Sequence, residues 1–166
     1  GLAYGDGLFE TVLVRDGQPL LWEYHMARLR QGVERLSLPL PDFDAFDQLP
    51  AQCGPGLRVL KLMVTRGSGG RGYRPPDSAD VRWRWTASAF QPAFQRWFEG
   101  VDVRCCELHL GIQPRLAGIK HLARLENVLA RQEWQDGAIA EGLLCDSEGH
   151  LVEATAMNLV WYRQGK

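Results

Sequence analysis

Only 3 of the 19 basic residues in this chain are lysines. An amine nucleophile would therefore have to be Lys61, Lys120 or Lys166. Lys166 ends the sequence and is set aside. Lys61 shares the alternating positions of Leu57, Val59 and Met63, where a long stem that snorkels to water is the usual role. Lys120 is different, because Leu116-Ala117-Gly118-Ile119-Lys120-His121-Leu122 places it after a glycine and among apolar residues. Small residues let a flat ligand approach the backbone, and burial lowers an amine pKa from about 10.4 towards neutrality. A neutral amine is what covalent carbonyl chemistry requires. Taken alone, a solvated lysine at a helix start is the commoner outcome.

Glu153 follows the turn Ser147-Glu148-Gly149 and adjoins Leu151-Val152, so it can point inward from a strand. A carboxylate beneath a pyridine nitrogen keeps that nitrogen protonated and makes the ring an electron sink; the commoner fate of such a residue is exposure on a hairpin. His25 and Arg28 lie three residues apart on one helical face and could reach an anionic phosphate, although solvated helix charges are more usual. The run Arg66-Gly67-Ser68-Gly69-Gly70-Arg71-Gly72-Tyr73, followed by Arg74, combines flexible glycines with bidentate groups suited to carboxylates. It is not a nucleotide P-loop, because no Gly-Lys-Ser/Thr follows. His109, His121 and the four cysteines lack metal-ligand spacing.

These groups need elements to position them. Leu8–Val14 reads as a strand, and Asp16-Gly17 as a turn into Leu20-Leu21-Trp22, giving a hairpin. Met26, Leu29, Val33 and Leu36 fall at helical spacing, stopped by Pro39 and Pro41. A weaker helix is expected over 42–52, a strand over 57–65 and another over 81–89, with Arg82 and Arg84 facing away from Trp83 and Trp85. After a connector at 91–93 come a strand near 101–106 and a helix over 121–135 buried through Leu122, Leu125, Val128 and Leu129. A second hairpin spans 142–154, and Asn158–Tyr162 is a strand-like run. The expected class is α+β in two lobes, 1–91 and 92–166.

The composition sets outer bounds. Across 166 residues, 45% are hydrophobic and 23% charged, ample for a core and incompatible with wholesale disorder. A net charge of −1 gives no basic field for nucleic acid or an anionic membrane, and no apolar run approaches the roughly 18 residues of a membrane span. Four cysteines without a CxxC pair read as reduced thiols, which points to the cytoplasm.

Taken together, Gly5-Asp6-Gly7-Leu8-Phe9-Glu10, His-Met-Ala-Arg-Leu at 25–29, the 66–73 loop, the 116–122 segment and Glu153–Asn158 resemble, in order and spacing, the fold-type IV pyridoxal-phosphate enzymes. That family includes branched-chain and D-amino-acid aminotransferases. The 66–73 loop and the run from Leu116 to Glu126 resemble its 4-amino-4-deoxychorismate lyase branch. The resemblance implies a two-lobed homodimer using pyridoxal 5'-phosphate on a small-molecule substrate, a lyase of folate biosynthesis. It implies that Lys120 binds the coenzyme and shuttles protons, that Glu153 pairs with the pyridine nitrogen, and that Arg28 meets the phosphate. Arg71 and Tyr73 match loop positions that contact a substrate carboxylate across the dimer interface, and Asn158 closes the glutamate motif in a structural role.

D-amino-acid aminotransferases carry a row of hydroxyls after the glutamate, whereas Ala154-Thr155-Ala156-Met157 keeps one. This favours the lyase over an aminotransferase; a non-catalytic fragment of such an enzyme is the remaining alternative. The family pattern begins before Gly1 and continues for roughly a hundred residues past Lys166, so the larger lobe is expected to be incomplete.

Overall fold

The computed structural model describes residues 1–164, apart from the side chain of Leu2. Lys166 lies outside the described residues. The chain divides into two compact units, Gly1–Pro92 with Arg115–Ala123, and Ala93–Pro114 with Arg124 onward. The segment around Lys120 thus belongs to the first unit, although it follows the connector at 91–93.

In the first unit, β1 (Gly7–Arg15), β2 (Gln18–Pro19), β3 (Leu57–Thr65) and β4 (Arg82–Ala89) form an antiparallel sheet in the order β2-β1-β3-β4. Alternation sends Leu8, Val12, Val14, Leu60, Leu62 and Val64 to one face, where they are buried. Helix α1 (Trp22–Arg35) covers that face with Met26, Leu29 and Val33. Burying each such side chain contributes roughly 1.5–3 kcal/mol, which offsets a poor helix start, since Leu21 has φ 55° and supplies no capping bond. The opening hairpin is shorter than the sequence suggests: β2 holds two residues, and Leu20 and Leu21 lead into α1. On β4, Trp85 packs against the core and Trp83 meets the edge of Phe46 at 5.3 Å.

The helix expected over 42–52 is two short ones, α2 (Phe43–Asp47) and α3 (Leu49–Gln52). Asp42 caps α2 by accepting from the Asp44 and Ala45 N–H groups. Pro50 has no N–H to donate back to Phe46, so the continuous ladder breaks between them.

The second unit contains α4 (Gln95–Glu99), β5 (Asp102–Leu110), α5 (Leu125–Arg131), β6 (Ile139–Asp146) and β7 (Leu151–Ala154). β6 pairs parallel with β5 and antiparallel with β7. Cys106, Leu110, Ala130, Trp134 and Leu144 form its core. A Cβ at Gly142 would come within about 3 Å of the Trp134 ring and the Cys106 sulfur, so only glycine admits this approach.

Three expectations fail here. The helix over 121–135 contracts to Leu125–Arg131, because the Leu122 N–H bonds to the Gly7 carbonyl and His121 bridges Leu8, which extends the backbone before the helix. Its expected apolar stripe is not buried either: Leu125 is 75% exposed, Val128 and Leu129 are about half exposed, and the inward residue is Ala130. Periodicity identifies an apolar face but not whether the chain supplies something to cover it. Residues 158–162 form no strand, and Val160, Trp161 and Tyr162 are exposed. Among the described residues no helix is long and apolar enough to cross a membrane.

Candidate active site

The segment bearing Lys120 lies along β1 in the first unit. Phe9 donates its N–H to the Lys120 carbonyl at 2.9 Å, and Ile119 is buried in the core beside it. Arg35 donates to the Ala117 carbonyl and fixes the approach to this segment. Lys120 is half-buried, with its Nζ 4.7 Å from the centre of the Phe9 ring. Lys61 is exposed on β3, as a snorkelling residue should be, but its Nζ also lies within 5.4 Å of that ring. The negative face of an aromatic ring attracts ammonium groups at such distances.

Arg28 is held by a residue the sequence motifs contain but do not single out. Its Nε and Nη2 donate to the Glu10 carboxylate at 2.7 and 2.6 Å, and His25 Nδ1 lies 2.7 Å from the same carboxylate. Glu10 is fully buried. Burial pushes its carboxyl pKa up, but the hydrogen bonds from Arg28 and His25 prevail and hold it below the ordinary 4.5. The Glu10 hydrogen bonds in turn raise the Arg28 guanidinium above its usual value. The available signal was a carboxylate on the face of β1 otherwise occupied by Leu8, Val12 and Val14. Arg28 is 40% exposed and its Nη1 lies outside the fork, so a second anion can approach it.

The structure separates the three arginines of the glycine-rich loop. Arg66 is buried and committed: it forks onto Asp6 at 2.5 and 3.1 Å and donates to the Leu36 and Ser37 carbonyls. Arg74 pairs with Asp77 at 3.2 Å on the surface. Arg71 is exposed and has no ion-pair partner among the described residues. Tyr73, 87% exposed, rests its ring 5.1 Å from that of Tyr4.

In the second unit, β7 presents Glu153 half-buried. Its Oε1 accepts from Arg124 at 3.2 Å and from Asn127 Nδ2 at 2.9 Å, while Oε2 lies outside these bonds. Asn127 also donates to the Thr155 carbonyl. From the other side, the buried Glu141 accepts from the Thr155 hydroxyl and from the Gly142 and Ala156 N–H groups. The single hydroxyl of the 154–157 run is therefore already bonded within the protein. Neither Asn127 nor Glu141 stood out beforehand; a lone carboxylate inside the apolar strand 139–144 was the clue to the latter. Asn158 is exposed on the chain that leaves this turn.

Each unit by itself carries groups of the kind a phosphorylated pyridine aldehyde needs: in the first, an amine beside an aromatic ring and a guanidinium whose Nη1 lies outside its fork; in the second, a carboxylate held through one oxygen by Arg124 and Asn127. An open cavity of about 600 Å³ along β4, lined by Met63, Arg82, Arg84 and neighbours, includes none of these groups.

The chain is 34% identical to the aminodeoxychorismate lyase of Vibrio harveyi over 98% of its own length and 61% of the relative's. It is similar to the crystal structure of 4-amino-4-deoxychorismate lyase from Pseudomonas aeruginosa, with 49% identity, a TM-score of 0.86, and coverage of 94% of this chain and 58% of that one. A PLP-bound form of a hypothetical aminotransferase from Mycobacterium tuberculosis matches at 26% identity with a TM-score of 0.63, over 91% of this chain and 56% of that one. The chain thus spans about three fifths of the length of these relatives. The family model described as Amino-transferase class IV matches residues 7–166, and with an α+β fold shared by these neighbours, the chain belongs to the class IV aminotransferase family.

Proposed function

We propose that these residues serve a pyridoxal-phosphate-dependent lyase that converts 4-amino-4-deoxychorismate to 4-aminobenzoate and pyruvate. The observation that carries the proposal is the 49% identity and close superposition with the Pseudomonas aeruginosa lyase. Lys120, Arg28 and Glu153 would hold the coenzyme by its aldehyde, phosphate and pyridine nitrogen. Pyridoxal phosphate, when bound, supplies a carbonyl that takes up the substrate amine and a protonated ring that accepts electrons from the amine-bearing carbon.

Lys120 then acts as the base that removes the proton from that carbon. The carbon–oxygen bond breaks with its electron pair on the departing enolpyruvyl oxygen. A proton returned by Lys120 to the enol methylene gives pyruvate, and aromatisation drives the reaction. Glu153, fixed by Arg124 and Asn127, keeps the pyridine nitrogen protonated through its remaining oxygen. Arg71, the loop arginine without an ion-pair partner among the described residues, binds a substrate carboxylate together with Tyr73. Asn158 has a structural part in the turn after Glu153. The homodimer and the cytoplasmic location implied by the resemblance belong to the same proposal.

The test is Lys120→Ala in the purified holoenzyme. The coenzyme absorbance band and the release of 4-aminobenzoate should both disappear; a persistent band with normal turnover would refute the assignment. A branched-chain or D-amino-acid aminotransferase is the second reading, favoured by the similarity to the Mycobacterium tuberculosis protein. Incubation with amino acids, followed by a search for the corresponding keto acids, separates the two.

A further inference from the structure

We propose that Tyr4 is a positioning residue for substrate recognition, holding the far end of the 66–73 loop through its ring contact with Tyr73. This rests on the reading that Arg71 and Tyr73 meet a substrate carboxylate.

The base of the loop is fixed independently by the buried Arg66, tied to Asp6 and to two carbonyls. Beyond Gly67 that constraint ends. No backbone hydrogen bond among the described residues is made by 68–73. Gly69 and Gly70 have neither a positive φ nor a crowded neighbour, so these glycines leave the loop free rather than admitting a close approach. Arg71 has no ion-pair partner among the described residues, and Tyr73 touches Tyr4 at 5.1 Å with the rings inclined at 58°. This tilted pair is a ring contact at the loop's far end. Tyr4 itself sits in a 3-10 turn, Leu2–Tyr4, just before Asp6 and β1, so both ends of the loop are referred to the same short stretch of chain.

An aromatic pair contributes about 0.5–1.5 kcal/mol beyond area burial, which is roughly a twofold to tenfold effect on the population of the held loop. In the holoenzyme, Tyr4→Ala should raise KM for 4-amino-4-deoxychorismate by that factor, with kcat and the coenzyme affinity read by absorbance unchanged. Tyr4→Phe keeps the ring and should behave as wild type. Adding Tyr4→Ala to Tyr73→Ala should raise KM no further. Limited trypsin digestion gives a readout that needs no turnover: cleavage after Arg71 should accelerate in Tyr4→Ala and not in Tyr4→Phe.

An unchanged cleavage rate and KM in Tyr4→Ala, additive effects in the double variant, or a parallel loss of coenzyme affinity would each overturn the inference. Wild-type enzyme that fails to turn over the substrate would refute the proposed function instead, and the trypsin comparison would still decide the role of Tyr4.

Discussion

Replacing Glu10 by glutamine tests how Arg28 is held. The amide keeps the side-chain shape, and its oxygen can still accept from Arg28 Nε. Its amino group, however, presents hydrogens to Arg28 Nη2, where the carboxylate oxygen lies at 2.6 Å, and can bond to His25 Nδ1 only in the tautomer in which that nitrogen accepts. One bond to a charged group is lost, about 1.5–3 kcal/mol, and the other two lose their charged acceptor, about 0.5–1 kcal/mol each. Arg28 is 40% exposed and can turn partly to water, which reduces the loss. The net destabilisation should be about 2–3 kcal/mol at pH 7, below the roughly 3–5 kcal/mol expected for breaking a fully buried pair. At 2–4 °C per kcal/mol, Tm should fall by roughly 5–10 °C.

The pH dependence gives a stricter check. Glu10 has a lower pKa folded than unfolded, so its contribution is fully present above the ordinary value of 4.5 and is lost as pH falls through the folded value. Glutamine does not titrate. Urea unfolding of both proteins should therefore show the gap in stability shrinking below about pH 4.5. A gap under about 0.5 kcal/mol at pH 7, typical of an uninvolved surface site, or one that widens in acid, would refute the reasoning.

Arg71→Ala should raise KM for the dicarboxylate substrate while leaving the coenzyme spectrum intact, whereas Arg74→Ala should change KM little, because Arg74 already pairs with Asp77; steady-state kinetics on both variants checks the assignment. Removing the α2 cap with Asp42→Ala should cost about 1 kcal/mol in urea unfolding. Thiol labelling at pH 8 should modify exposed Cys105 well before Cys106, whose pKa is raised by burial and by the Glu133 carboxylate.

Strands were legible where alternation and turn residues agreed. Leu57–Thr65 appears with the bounds its sequence suggests, framed by Gly54-Pro55-Gly56 and the glycine-rich loop. Helix α1 was legible through Met26, Leu29 and Val33, a stripe with a sheet to cover it. The run 121–135 has a comparable stripe, yet three of its leucine and valine positions face solvent. Local pattern carries the apolar face; it does not carry the partner. The same division holds in the site. Motif order singles out Lys120, Arg28, Glu153 and Arg71 as candidates, but residue type and local spacing alone do not tell Arg66 from Arg71. Only the fold shows Arg66 committed to Asp6 while Arg71 is exposed, with no ion-pair partner among the described residues.

The stretch from Tyr4 to Glu10 explains why positions so far apart in the chain can cooperate within the first unit. Asp6 binds Arg66 at the base of the glycine-rich loop, Tyr4 meets the Tyr73 ring at its far end, Phe9 lies against Lys120, and Glu10 binds Arg28. Phe9 and Glu10 are consecutive strand residues and so point to opposite faces of the sheet. The pairing Phe9↔Met63 and Glu10↔Leu62 keeps the ring on the side of Lys61 and the carboxylate on the side of α1. A slip of one residue would exchange them, placing a carboxylate beside two ammonium groups and leaving Arg28 without its acceptor. The apolar alternation of Leu8, Val12 and Val14 against Leu60, Leu62 and Val64 prevents that slip. Core packing on one face of β1 therefore sets the geometry of the proposed chemistry on both.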